Sequence, residues 1–373
     1  MTWILQDERR MLRDSAKTFL TERAPVAHLR KLRDSADAKG YSPELWAAFA
    51  GQGYSAVLVP EAHGGLGLGV AEAGLIAEQI GHTIAPTPFF STAVLAAWLL
   101  KTAGSEAQQK TWLPKIATAD TVLAIAVDER SRHRSTDIAT RAAREGSQWR
   151  IDGRKLLVLD GHVAQALIVA AKTDDGIALL LVPAGAAGLS VERTVMVDSH
   201  NAARVTFEGV RVPADALIGS VETGAALLEQ LLDVGRVVAS AELLGLADEV
   251  FDRTVQYLKE RKQFDRAIGE FQALQHRAAE LFCDLELTRA IVRQALQAID
   301  EGAKNAPLLV AQAKARACQT ANRAVQEGVQ MHGGIGVTDE LDLGLFMKRA
   351  RVLQELFGDA AVQMDRAAVM SGF

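Results

Sequence analysis

Along the first 120 residues the apolar positions recur at helical spacing. Leu5, Met11, Leu12, Ala16, Phe19 and Leu20 share one stripe, with Asp7, Arg9, Arg10, Arg13 and Asp14 on other faces, which predicts an amphipathic helix. Ser42-Pro43-Glu44 predicts the start of a second helix: Ser42 supplies a cap and Pro43 occupies a first-turn position that needs no N–H. Leu58-Val59-Pro60-Glu61-Ala62-His63-Gly64-Gly65-Leu66-Gly67 breaks every period and predicts a loop. Further helices are expected over residues 70–80 and, after the break at Pro86 and Pro88, over 92–101.

Near residue 121 the period shortens. Val122-Leu123-Ala124-Ile125-Ala126-Val127, Gln148-Trp149-Arg150-Ile151, Leu156-Leu157-Val158-Leu159, Ala166-Leu167-Ile168-Val169-Ala170 and Ala178-Leu179-Leu180-Leu181-Val182 are short apolar runs. Glu145-Gly146-Ser147, Asp152-Gly153 and Asp174-Asp175-Gly176 read as the turns between them. Short strands at this spacing predict an antiparallel barrel or sandwich. A final strand over 203–213 is closed by Pro213, and from about Thr223 the chain is helical again, with Leu227, Leu228, Leu231 and Leu232 opening a long stripe. The order of helices, strands and helices divides the chain into 1–120, 121–219 and 220–373, an α+β arrangement.

At 373 residues, with 49% hydrophobic and 23% charged positions, the chain has the makings of a large core. A net charge of −5 leaves no basic footprint for nucleic acid. Charges every few residues over 1–10 rule against a signal peptide, and no uncharged run reaches the roughly 18 residues of a membrane span. Cys283 and Cys318 lack metal spacing and predict neither a disulfide framework nor a metal site, so a reducing, cytoplasmic setting is expected.

Two polar, glycine-bearing stretches lie between long helices. The first is Arg261-Lys262-Gln263-Phe264-Asp265-Arg266-Ala267-Ile268-Gly269-Glu270-Phe271-Gln272, the second Gln330-Met331-His332-Gly333-Gly334-Ile335-Gly336. Glycine lets backbone N–H groups approach phosphate oxygens, arginine offers a permanent charge in a flat fork, and Phe264 can lie against a heteroaromatic ring or a ribose. A surface arginine and a core phenylalanine at a helix start would explain the first stretch alone. Together the two point to a phosphate-rich cofactor.

These stretches, with Val59-Pro60-Glu61-Ala62-His63-Gly64-Gly65-Leu66-Gly67 and Phe207-Glu208-Gly209-Val210-Arg211-Val212-Pro213, resemble the acyl-CoA dehydrogenase family over essentially the whole chain. The resemblance implies an N-terminal helical domain, a middle β-barrel and a C-terminal four-helix bundle, usually assembled as a tetramer. It implies FAD as cofactor, α,β-dehydrogenation of an acyl-CoA thioester, and an electron-transfer flavoprotein or other acceptor for the electrons. In the family a carboxylate removes the α proton while the β hydrogen leaves as hydride to the flavin. The flavin ring sits on the barrel of one subunit, and its adenine side is gripped by a neighbour's bundle. Arg261, Gln263, Phe264, Ile268, Phe271, Gln272, Gln330, Gly333 and Gly334 fall on the gripping positions.

Other positions depart from the family pattern. A Thr-Glu-Pro stretch is replaced by Val127-Asp128-Glu129-Arg130-Ser131-Arg132-His133-Arg134-Ser135-Thr136-Asp137, and Trp-Ile-Thr-Asn-Gly by Leu157-Val158-Leu159-Asp160-Gly161. Leucine donates no hydrogen bond, so Leu157 and Leu159 leave the ring without its usual partners. The family's two base positions hold Phe357 and Gly235. Asp359 and Glu355 are the nearest carboxylates, two residues to either side of Phe357, and Asp359 also reads as a surface or cap residue. Asp233 and Arg236 keep a family pattern beside the acyl pocket and also read as an ion pair, while His63, His133 and His332 have no metal spacing.

Three readings follow. The chain is the FAD-gripping subunit of a hetero-oligomer whose partner carries the base, with bulky thioesters such as those of steroid side chains as a permitted substrate class. Alternatively it is a self-sufficient homo-oligomer with a displaced base, or a non-catalytic scaffold that binds CoA esters or proteins.

Overall fold

The computed structural model describes residues 7–134 and 137–373. Leu5, Ser135 and Thr136 lie outside the described residues. The helices before the sheet are α1 (Asp7–Arg23), α2 (Val26–Asp34), α3 (Pro43–Gly51), α4 (Val70–Thr83), α5 (Ala97–Ala103) and α6 (Glu106–Ala117). In α1 Ala16 and Leu20 are buried, as the stripe predicts. Met11 is 71% exposed: it stands five residues before Ala16, and at about 100° per residue it rotates off their line. The Ser42 hydroxyl accepts from Leu45 N at 3.1 Å and caps α3 as expected. Short α2, not anticipated, precedes it. Between residues 58 and 67 a 3-10 turn, Glu61–His63, is closed by Gly64 at φ 80°. The apolar run after Pro88 winds as a π-helix over Phe89–Ala96 before tightening into α5, so the single helix expected over 92–101 is two.

The chain folds into two compact units, each discontinuous in sequence: one holds the chain up to Lys31, Gly74–Ala85 and Arg236–Phe373, the other Leu32–Ala73 and Pro86–Gly235. The second unit contains the sheet, made of β1 (Leu123–Ala126), β2 (Arg141–Glu145), β3 (Gln148–Leu159), β4 (Ala166–Lys172), β5 (Ile177–Pro183), β6 (Leu189–Val195), β7 (Asn201–Pro213) and β8 (Leu217–Ile218). The strand order is β6-β7-β3-β2-β4-β5-β8, with β1 beside β4. Most pairs are antiparallel; β1 runs parallel to β4, a departure from the expected all-antiparallel ladder. Trp149, Ile151, Leu167, Val169, Leu180, Val205, Phe207 and Val210 are among the residues of its core.

Two predicted turns hold: Glu145 pairs with Gln148 around Gly146-Ser147, and Lys172 with Ile177 around 173–176. Asp152-Gly153 is not a turn. β3 runs straight through it with a register shift against β7, Gly153 taking φ 149° where an added Cβ would meet Thr140 Oγ1 at 2.6 Å. The Asp152 carboxylate accepts from Gly209 N at 2.7 Å across that irregularity.

The remaining elements are α7 (Val221–Glu260), the strand pair β9 (Lys262–Gln263) and β10 (Arg266–Ala267), α8 (Gln272–Asp300), α9 (Ala306–His332), α10 (Leu343–Glu355) and α11 (Ala360–Met370). α9 packs against α8, α10 and α11. α4 crosses α7 at backbone contact: an added Cβ at Gly245 would lie 1.8 Å from the Glu78 carbonyl oxygen, and one at Gly81 2.1 Å from that of Glu242. Only glycine permits that approach. Among the described residues no helix is long and apolar enough to cross a membrane, and neither Cys283 nor Cys318 is in a disulfide.

Candidate functional site

The first polar stretch is a miniature hairpin between two long helices. α7 ends as Arg261 N donates to the Tyr257 carbonyl at 2.8 Å, and Ile268 N returns to the Arg261 carbonyl at 2.8 Å. Between them β9 and β10 pair Gln263 with Arg266 and Lys262 with Ala267. The two turn residues, Phe264 and Asp265, take φ 54° and 63°, the left-handed pair that a two-residue hairpin requires. Asparagine and glycine are the usual occupants; phenylalanine is strained there. Its ring is 84% exposed. It touches Phe271 edge-on at 6.1 Å, and the Arg266 guanidinium covers the Phe271 ring at 4.1 Å. Arg261, Gln263 and Gln272 are exposed; Ile268 and Phe271 are half-buried.

The second stretch closes α9. His332 is buried and its Nδ1–H donates to the Gly328 carbonyl at 2.7 Å, while burial holds its pKa below the ordinary 6.5. Gly333 then takes φ 65° and opens a 3-10 turn, Gly333–Val337. No described atom lies within 4 Å of a Cβ built on Gly333 or Gly334, and both are exposed, as is Gln330. Tyr257 joins the stretches. Its ring stacks on His332 at 4.3 Å and its hydroxyl donates to the His332 carbonyl at 3.4 Å. Sequence reading missed Tyr257, although it stands one helical turn before Arg261, where a side chain shares its face. A fixed cation, a projecting aromatic, free amides and bare glycine backbone thus share one surface, a composition that fits a dinucleotide's phosphates and rings.

The positions implied for the flavin ring lie in the sheet unit and do not fit it as well. Leu157 stands at a register shift in β3 with φ 52° and is 42% exposed. Asp160, also left-handed at φ 55°, accepts from Ser91 Oγ at 2.6 Å. Val127 and Glu129 are tied down from beneath: buried Lys155 donates to Glu129 Oε1 at 2.7 Å and to the Val127 carbonyl at 2.9 Å. Glu129 also accepts from Ala139 N and Thr140 N, at 2.7 and 2.9 Å. His133 Nδ1 lies 2.7 Å from Asp128 Oδ1, and Arg130 pairs with Asp137 at 2.9 Å. Neither Leu157 nor Leu159 offers a donor to a heteroaromatic ring.

The base positions are equally altered. Phe357 is buried at φ 57°. Its carbonyl accepts from Arg236 Nε at 3.1 Å and from Gln363 Nε2 at 2.9 Å. Gly235 lies buried within α7. Asp359 is the N-cap of α11, accepting from Val362 N at 3.0 Å. Glu355 pairs with Arg351 at 2.8 Å. Beneath this segment the fully buried Lys314 donates to the carbonyls of Leu353, Gln354 and Gly358 at 2.9, 3.0 and 3.3 Å, a second residue missed from sequence. Its signal was a lysine on the alanine-rich face of α9, four residues from Cys318 and from Val310. Among the described residues none of His63, His133 and His332 joins a metal-like cluster. Among the described residues Glu78, His82 and Asp248 come together, but Arg289 already pairs with Glu78 at 3.1 Å and Asp248 at 2.8 Å.

Three family models match in order: acyl-CoA dehydrogenase N-terminal domain over residues 6–120, middle domain over 128–210, and C-terminal domain over 222–370. "Acyl-CoA dehydrogenase FadE12" of Mycobacterium tuberculosis is 30% identical over 367 residues, covering 94% of this chain and 92% of that one. The crystal structure of the ChsE4-ChsE5 complex from Mycobacterium tuberculosis superposes with a TM-score of 0.92 at 27% identity, covering 100% of both chains. A variant of the Tcur3481-Tcur3483 steroid ACAD superposes at 0.90 with 30% identity, covering 98% of both. The chain belongs to the acyl-CoA dehydrogenase family, oxidoreductases that bind FAD.

Proposed function

We propose that this chain is the FAD-gripping subunit of a two-chain acyl-CoA dehydrogenase whose partner, a second member of the family, seats the flavin ring and carries the catalytic base. One asymmetry carries the reading. The nucleotide-side surface is exposed and chemically complete, whereas the ring-side positions hold Leu157 and Leu159 and the base position holds buried Phe357. The likeness to two structures named as pairs supports it. A bulky CoA thioester, such as that of a steroid side chain, is the proposed substrate class, supported by the steroid named for one of those pairs. The functional division at 120/121 and 219/220 is supported by the bounds of the three family matches.

FAD, when bound, supplies the redox step by accepting hydride from the β carbon of the thioester. The work of this chain is to hold it. Arg261 would neutralise pyrophosphate charge, Phe264 would offer a face to an adenine or ribose, and the amides at Gly333 and Gly334 would donate to phosphate oxygens. Gln263, Gln272 and Gln330 add hydrogen bonds, and Ile268 and Phe271 supply the apolar floor. Asp359 and Glu355 are spent on a helix cap and an i,i+4 pair, which favours a base on the partner over a displaced one here.

Purified alone, the chain is expected to be colourless; co-expressed with a second family member that carries an intact base, the assembly is expected to be yellow and active. Arg261→Ala should weaken FAD binding by the assembly on the order of a hundredfold, the loss of a charge-assisted contact. A flavin spectrum near one FAD per chain in the lone protein would overturn the reading.

A further inference from the structure

A Cβ built on Gly333 or Gly334 would meet no described side chain or remote backbone within 4 Å, so the place of the loop's exposed end must be set elsewhere. At its start His332 is fixed by Gly328 and Tyr257, and Thr338 Oγ1 donates to the Ile335 carbonyl at 2.8 Å. At its far end charged groups from elements remote in sequence converge. Arg30, in α2, donates from Nε to Asp342 Oδ1 at 2.8 Å, from Nη1 to Asp339 Oδ2 at 3.1 Å and from Nη2 to the Leu341 carbonyl at 3.3 Å. Arg253, in α7, donates from Nη1 to the other Asp342 oxygen at 2.9 Å. Arg253 is itself fixed: its Nε donates to Glu249 Oε1 at 2.6 Å, and its guanidinium lies 5.1 Å over the Phe346 ring. The other Glu249 oxygen lies 3.3 Å from His82 Nδ1 in α4. Asp342 is thus held on both oxygens by two arginines, and its side chain is only 24% exposed.

We propose that Asp342, clamped between Arg30 and Arg253, is the positioning residue that sets the backbone of the Gly333–Val337 turn for phosphate binding. The proposal rests on the nucleotide-side reading above. Exposed, glycine-bearing backbone is costly to order, and a loop fixed at both ends gives up less freedom when a ligand arrives. Gly333 and Gly334 must stay bare to admit phosphate, so side-chain packing cannot hold them. The clamp does so from behind, through the end of the loop that the ligand does not use.

The test compares Asp342→Asn, which keeps the shape and removes the charge, with Arg30→Lys, which keeps a charge but reaches fewer acceptors. Arg323→Gln is the control, because it breaks a pair with Asp284 on α8 instead. In the chain alone, amide hydrogen exchange over 333–338 should rise about tenfold in Asp342→Asn, less in Arg30→Lys, and not in the control. In the co-expressed assembly, FAD should dissociate about tenfold faster in Asp342→Asn. Unchanged exchange over 333–338, or faster exchange with unchanged FAD dissociation, overturns the proposal. Arg261→Ala, run in parallel, separates the cases: if it too keeps FAD, the nucleotide-side reading has failed and the proposal with it.

Discussion

Phe264 shows function and conformation opposed at a single residue. A left-handed backbone costs an L-residue about 1 kcal/mol or more, and apart from its edge contact with Phe271 the fold offers Phe264 little in return, since the residue stands 84% exposed. Strain of this kind persists where a ligand uses it. Phe264→Gly should therefore stabilise the isolated chain by about 0.5 to 1 kcal/mol in urea denaturation, while weakening FAD binding in the assembly. A variant that loses both stability and FAD would show that the ring serves the fold instead. Leu157, also left-handed, stands at the altered ring-side position.

At the scale of elements, the segment between α10 and α11 is governed by Lys314. The last carbonyls of a helix have no partner within it, and Lys314 answers those of Leu353 and Gln354 and then that of Gly358. Burial pushes its pKa below the ordinary lysine value. Arg236 and Gln363 meanwhile fix the Phe357 carbonyl. Three side chains thus hold the backbone of this segment from within the helices around it. Lys314→Met fills the same space but leaves three carbonyls without their donor, and should cost about 3 to 5 kcal/mol by chemical denaturation. A loss under about 1 kcal/mol would show that α10 is held by its apolar packing alone.

At the scale of the whole molecule, several titratable groups act in one direction on acidification. Burial lowers the pKa values of His28, His162 and His332 below 6.5. The unfolded chain therefore binds protons near 6.5 that the folded chain refuses, and stability falls as pH drops from about 6.5 toward the folded values. Glu129 and Glu249 have lowered values despite burial, through Lys155 and through His82 with Arg253 respectively. Their contribution is present above 4.5 and is lost as pH falls below it. Asp248, raised by burial, works the other way. The urea midpoint should thus fall between pH 7.5 and 5.5, and His332→Gln should flatten that slope. An equally steep slope in the variant would remove His332 from the account.

The sequence determined much of this by itself. Four stretches in order pointed to the family, and local chemistry alone predicted the Ser42 cap, the turns around residues 146 and 174, and the continuous apolar run of the buried strand β4. Two strands escaped it: β2 (Arg-Ala-Ala-Arg-Glu) exposes all but one of its residues and carries almost no apolar signal, while β6 (Leu-Ser-Val-Glu-Arg-Thr-Val) is only half-buried, and the ends of both are defined by the strands they pair with. What only the tertiary structure decided was long-range. Tyr257 meets His332, Arg30 meets Asp342 and Lys314 meets the end of α10 across wide gaps in the chain. A hydrogen bond between distant residues leaves no period or spacing to read, because its geometry exists only once the helices that carry both ends have packed.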